Sequence, residues 1–289
     1  MQDRTACLVC DNQEFSEYIT TNDFFGAKEE FSIIKCTKCH TLYTSPFPDV
    51  NQILTYYKSN SYVSHGDKRG IVFDNLYKAL KSLNIRYKYK TLTNHVKTKS
   101  HLDIGCGTGD FLDYLDTRGI RTLGVEKDHQ ARTISLNKNL TVKNSISEIK
   151  EIMFDSISMI HVLEHVDELH DTLQFITQSL NKQGILYLAL PNYLAYDAQI
   201  YHKYWAGFEV PRHLHHFSPK SIKTLSTKYG LKLVRSYPMK LDSYYISLLS
   251  HQYQTGRTNY LKALYNGYRS NQKAKQSGNY SSLIYILQK

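Results

Sequence analysis

Leu102-Asp103-Ile104-Gly105-Cys106-Gly107-Thr108-Gly109 decides the fold, because an apolar, strand-like run passes straight into three glycines at alternate positions. Glycine adopts backbone angles that a Cβ forbids and lets a ligand lie almost against the main chain, so Gly105, Gly107 and Gly109 read as a turn that binds one end of a nucleotide. The dinucleotide fingerprint needs its third glycine one place further on, where pyrophosphate rests on a helix N-terminus. That place is Asp110 here, and an acid there repels phosphate. The turn therefore suits a ligand with an adenosine end, a methionine-like tail and no phosphate.

Working outward, Arg121-Thr122-Leu123-Gly124-Val125 predicts a short buried strand, and Glu126 follows it, an acid placed to accept hydrogen bonds from both hydroxyls of a ribose. Apolar runs of strand length lie at 98–104, 122–126, 140–144, 156–162 and 185–190. Segments long enough for helices separate them, such as 111–118 and 167–180. Such alternation implies an α/β fold with a parallel, doubly wound, Rossmann-like sheet. Two later runs, 232–238 and the β-branched, aromatic 281–287, extend it.

These residues resemble the class I S-adenosylmethionine (SAM) methyltransferase family. The resemblance implies a seven-stranded sheet of order 3-2-1-4-5-7-6, with the last strand in sequence inserted antiparallel. It implies SAM as cofactor, with Asp103, Gly105, Gly107 and Gly109 around the methionine end, Glu126 on the ribose, Ser145 and Ile146 at the adenine, and His161 at the edge of the same crevice.

Four of the five cysteines form two Cys-x-x-Cys pairs, Cys7 with Cys10 and Cys36 with Cys39. Each pair places two thiolates on one tight turn, and two turns complete a closed, structural Zn²⁺ site. Phe31-Ser32-Ile33-Ile34, a strand just before the second pair, suits a zinc ribbon; disulfides are the alternative, disfavoured where no export signal is seen. The prolines of Leu42-Tyr43-Thr44-Ser45-Pro46-Phe47-Pro48 disfavour helix and mark a linker. Helices at 50–57 and 71–96 then carry tyrosine and leucine near helical spacing and are expected to lie over the open end of the sheet. The expected organisation is a zinc ribbon over 1–48, a helical lid and linker over 49–97, and a SAM-binding domain over 98–289 with a helical insertion at about 241–277. Paired cysteines, Pro-x-Pro and tyrosines at Tyr56, Tyr57 and Tyr62 ahead of the glycine turn resemble a zinc-ribbon subgroup of methyltransferases, whose members include enzymes that methylate carbons of nucleotide-linked keto sugars.

With 41% hydrophobic residues the chain is globular, long enough at 289 residues for one substantial core and a small appendage. No apolar run approaches a bilayer span, and Met1-Gln2-Asp3-Arg4-Thr5 lacks the layout of a signal peptide, so a cytoplasmic protein is expected. The net charge of +10 favours anionic partners, although its concentration at 78–99 and 257–275 is also what solvated helix faces give.

An open α/β sheet leaves its crevice at the carboxyl ends of its strands, and two histidine clusters arrive there. His161-Val162-Leu163-Glu164-His165-Val166 resembles the segment of ubiquinone-type O-methyltransferases where an acid and a histidine face the methyl-transfer pocket, in some of them around a divalent ion. Their first acid is His161 here, which turns the segment away from Mg²⁺ and toward proton transfer. The second cluster, 205–218, contains Arg212-His213-Leu214-His215-His216-Phe217-Ser218 and resembles the zinc-ribbon subgroup's lid; its alternate histidines also suit a half-buried strand. The expected catalytic residues are His213 or His165 as base and Arg212 as clamp for an anionic group on a small-molecule acceptor: a sugar, a glycolipid precursor or a hydroxylated aromatic, methylated on oxygen or carbon. RNA methylation is an alternative, weakened because Leu190-Pro191-Asn192-Tyr193 stands where amino-group methylators carry Asn-Pro-Pro-aromatic. A SAM-binding protein without turnover is another.

Overall fold

The computed structural model describes residues 4–26, 28–48, 50–57 and 71–289; at 50, 51, 54, 57 and 71–78 it describes the backbone. Tyr62 of the tyrosine-rich segment lies outside the described residues. Three strands open the chain, β1 (Phe15–Asn22), β2 (Glu30–Cys36) and β3 (Leu42–Ser45), followed by helices α1 (Val50–Tyr57) and α2 (Ile71–Thr93).

The glycine turn sits where expected, between β4 (Ser100–Ile104) and α3 (Asp110–Asp116). Alternation continues through β5 (Arg121–Val125), α4 (His129–Leu136), β6 (Val142–Lys143), β7 (Phe154–Ile160), α5 (Leu169–Ser179) and β8 (Leu180–Pro191). After the short α6 (Tyr196–Tyr201) and the two-residue β9 (His215–His216) come α7 (Pro219–Lys228) and β10 (Lys232–Pro238). A helical hairpin, α8 (Asp242–Thr255) and α9 (Tyr260–Ser277), leads to β11 (Ser282–Gln288). Ser218 caps α7 through its Oγ, and Pro219 takes the first helical place, where no N–H is needed.

The main sheet runs β10-β11-β8-β7-β4-β5-β6, with β11 antiparallel to both neighbours and the β6-to-β8 portion parallel. Counted from β4, that is the predicted order 3-2-1-4-5-7-6. The period of two in β8 divides the core. Leu186, Leu188 and Leu190 pack with α5 and α7 on one face, while Ile185, Tyr187 and Ala189 pack with Leu92 of α2 and Phe111 and Leu115 of α3 on the other. No described helix is long and apolar enough to cross a membrane.

Two readings of the sequence need correction. Leu42–Ser45 is a strand rather than linker: the prolines at 46 and 48 end it, and its backbone pairs with β2 and β9. The stretch 211–218 is no lid. Leu214, His215 and His216 are buried, and β9 extends the N-terminal sheet to the order β1-β2-β3-β9, so this stretch sews the cysteine-rich region to the main sheet.

Candidate active site at the carboxyl ends of the sheet

All three glycines of the turn hold positive φ: Gly105 +74°, Gly107 +55° and Gly109 +73°. They differ in what surrounds them. A Cβ on Gly105 would meet Val162 Cγ2 at 2.3 Å and one on Gly109 would meet Leu140 Cδ1 at 2.6 Å, whereas at Gly107 it would meet nothing within 4 Å. Gly105 and Gly109 are glycines because protein packs on them, whereas Gly107 faces open space.

Glu126 accepts from Gly107 N–H (2.8 Å) and from Asp128 N–H (2.8 Å), so the acid of the ribose reading lies against the turn. Asp110 begins α3 with ion pairs to Lys81 (2.7 Å) and Lys138 (2.9 Å). Burial opposes its charge, but the two lysines outweigh that and hold it at about 2. A fixed carboxylate thus occupies the helix N-terminus that pyrophosphate would need. Asp103 is buried at the end of β4, accepts from Ser158 Oγ, and is pushed up to about 7 by that burial. Ser158 and the more distant Lys88 charge work against that burial without overcoming it. Ser145 and Ile146 open a 3₁₀ turn beyond β6, with Ser145 capping Ser147 N–H.

The histidine segment follows β7. His161 has φ +55°, a sparsely populated region for a side chain with a Cβ. Its Nε2 lies 3.2 Å from Asp242 Oδ2 and its Nδ1 3.6 Å from Glu164 Oε1. Burial works against its charge, yet Asp242 and Glu164 prevail and raise it to about 9. Glu164 is 1% exposed, and among the described residues neither of its oxygens has a hydrogen-bond partner; burial opposes ionisation there too, but His161 with His213 and His165 holds the carboxyl at about 2.

Stretch 211–216 is clipped across this segment. Leu214 N–H donates to Glu164 O (2.8 Å), His165 Nδ1 lies 3.0 Å from Arg212 O, and His215 Nε2 lies 2.7 Å from Val166 O. His213 Nδ1 lies 2.9 Å from Gly207 O, and its ring meets His165 edge to face, centroids 4.5 Å apart. A carbonyl only accepts, so Nδ1 is the donor in both rings. Burial, and after it the His213 charge, pulls His165 down to about 4.

Arg212 is not free to clamp an acceptor. It is 1% exposed and spends its guanidinium on Asp23 (3.1 Å) and Glu209 (3.1 Å). Asp23 follows β1, so this pair ties the N-terminal sheet to the histidine strap. Arg212→Ala should therefore cost about 3–5 kcal/mol by stranding the buried Asp23 and the half-buried Glu209, read as a lower denaturation midpoint. An acceptor clamp would instead show a raised KM at an unchanged midpoint. Asp242 and Glu209 escaped the sequence reading. Asp242 stands at the carboxyl end of β10, a position the crevice rule could have flagged; Glu209 lies in the irregular stretch before the strap and carries no local signal.

At the N-terminus, Cys7, Cys10, Cys36 and Cys39 offer four sulfurs within 4.8 Å of one another, with Cys7–Cys39 at 3.4 Å and Cys10–Cys36 at 3.6 Å. Tetrahedral zinc with bonds near 2.3 Å sets sulfurs about 3.8 Å apart, so the thiols are spaced for it. Tyr43 OH (3.1 Å) and Thr41 Oγ1 (3.1 Å) approach Cys7 and Cys39 from behind.

Residues 78–236 match the family described as a methyltransferase domain. An uncharacterized methyltransferase of Alkaliphilus oremlandii is 29% identical over 94 residues, which make up 30% of this chain and 44% of that protein, so the match spans less than half of the curated relative. Among solved structures, a SAM-dependent methyltransferase from Archaeoglobus fulgidus superposes with a TM-score of 0.51 at 17% identity, over 75% of this chain and 98% of that one. The cyclopropane synthase MmaA2 from Mycobacterium tuberculosis gives 0.50 at 16% identity, over 72% and 83%. At these identities the superpositions speak for the fold.

Proposed function

The chain belongs to the methyltransferase domain family and is a SAM-dependent enzyme; from that premise we propose that it methylates a hydroxyl or an enolisable carbon of a small molecule, with His213 as the base. SAM supplies an already activated methyl group, so this chain's residues have to bind, orient and deprotonate. Gly105, Gly107, Gly109 and Asp103 would hold the methionine end, Glu126 the ribose, and Ser145 with Ile146 the adenine. The observation that carries the choice of base is the His213 Nδ1 contact with Gly207 O, which fixes the tautomer, with Glu209 Oε2 3.8 Å from Nε2 to steady the imidazolium. His165, held near 4, is neutral at pH 7 and too weak a base to share the step; it is a positioning residue. With Arg212 used internally, an anionic group on the acceptor has no argument left from that side chain. A radiolabelled-SAM screen across sugars, glycolipid precursors, hydroxylated aromatics and total RNA tests this reading, and label in RNA alone would overturn it.

A second reading has its own observation. Glu164, His165 and His213 each offer a ligand atom within 4.8 Å of the others, around a carboxylate with no hydrogen-bond partner among the described residues. One carboxylate and two imidazoles suit a divalent transition metal.

SAM affinity should depend on pH through Asp103. Because its free-state value is about 7 and the ammonium of the methionine end needs the ionised form, affinity should climb with pH, by up to about tenfold per unit below 7, and level off above. Asp103→Asn should bind weakly and without that slope, as calorimetry across this range would show.

The four cysteines are proposed to hold structural Zn²⁺, at about one ion per chain with thiol protons released on binding. Cys36→Ser should lose the metal and lower the melting temperature. Because β3 pairs with β9, it should lower turnover too, and a metal-free protein of unchanged stability would count against the site.

A further inference from the structure

Helix α9 presents three different faces. Ala263, Gly267, Ser270 and Ala274 are its buried small residues, and Gly267 lets α8 approach so closely that a Cβ there would lie 2.9 Å from Tyr244 Cα. Tyr260, Leu261, Leu264, Tyr265 and Tyr268 fall within about 140° of arc at helical spacing. Leu261 is 80% exposed and the other four more than half. Lys262, Arg269 and Lys273 form a row along the border of that sector, with the Arg269 guanidinium 5.6 Å from the Tyr265 ring centroid. From 243 to 289 the sequence holds six lysines and arginines and no aspartate or glutamate.

We propose that the α8–α9 hairpin docks on an anionic lipid surface. Leucine at the crest suits the acyl boundary, tyrosines to either side suit the headgroup level, and the basic row suits lipid phosphates. A second copy is disfavoured, because a two-fold contact through this face would set cations against cations with no acid to answer them. Single-stranded nucleic acid is a poorer match, since base stacking uses rings lining a charged groove and takes nothing from leucines on a convex helix. The inference does not depend on the identity of the methyl acceptor. It does give the site a neighbourhood, because α8 begins at Asp242, the partner of His161.

The full chain should cosediment with vesicles of phosphatidylcholine and phosphatidylglycerol mixed two to one, and only weakly with phosphatidylcholine alone. Leu261→Ser with Leu264→Ser should reduce partitioning roughly tenfold or more. Lys262→Glu with Arg269→Glu should bring the anionic vesicles down to the level of neutral ones, since each basic residue contributes about fivefold. Both variants should keep the parent's melting temperature and SAM affinity, because the altered side chains are outside the core. The proposal is overturned by failure to cosediment, by equal binding to both vesicles that the variants leave untouched, or by a dimer in light scattering that the leucine variant dissolves.

Discussion

Gly107→Val is expected to abolish SAM binding while the protein stays folded. The three glycines of the turn differ in what surrounds them. At Gly107 an added Cβ meets no protein atom within 4 Å, so two further methyls intrude on the ligand's space rather than on the core. The φ of +55° adds strain for a β-branched residue, which should appear as a modest drop in melting temperature. Gly105→Val should behave in the opposite way, losing stability first, because its side chain would run into Val162. Glu126→Ala should weaken binding by about 1–3 kcal/mol, the cost of losing a charged partner. Titration calorimetry beside a thermal melt separates the outcomes, and a Gly107→Val protein that binds SAM normally would remove the proposed cradle.

Much of this architecture is visible in one dimension, for identifiable reasons. The glycine turn is local: three positive-φ positions and the strand before them lie within eight residues. The strand order follows from a family resemblance that those residues carry, and the period-two division of β8 could be read from 185–190. The four cysteines announce themselves by spacing. What stayed hidden depends on partners far apart in sequence. Arg212 has the composition of an anion clamp until Asp23, 189 residues away, is seen to neutralise it. His215 and His216 look equally like a catalytic loop and a strand, because an alternating pattern does not say which sheet it joins; only the pairing with Leu42 and Tyr43 decides. The prolines after Ser45 were visible, but a proline that ends a strand and one that opens a linker leave the same trace. Position at the edge of the crevice groups His161 with the cofactor residues, whereas its ring is taken up by Asp242 and Glu164.

His213→Ala should keep SAM affinity and lose roughly 10²–10⁴-fold in turnover, the usual contribution of a general base. His165→Ala should lose less, because a group held near 4 contributes little as a base at neutral pH; its loss should come from a slackened His213, against which its ring packs. Glu164→Gln discriminates further. If Glu164 only steadies charge, the variant lowers turnover and shifts its pH profile, while chelation leaves the parent enzyme unaffected. If Glu164, His165 and His213 instead ligate a metal, a chelator too weak to strip the four cysteines should stop the parent, and an added divalent ion should restore it. Single-turnover rates with and without chelator decide between proton transfer and metal, since each requires the same three side chains and only one requires an ion. On the proposed proton-transfer reading, a proton passing from the acceptor to His213 would leave an imidazolium with the Glu209 carboxylate 3.8 Å from its Nε2, so the new charge would be met where it arises.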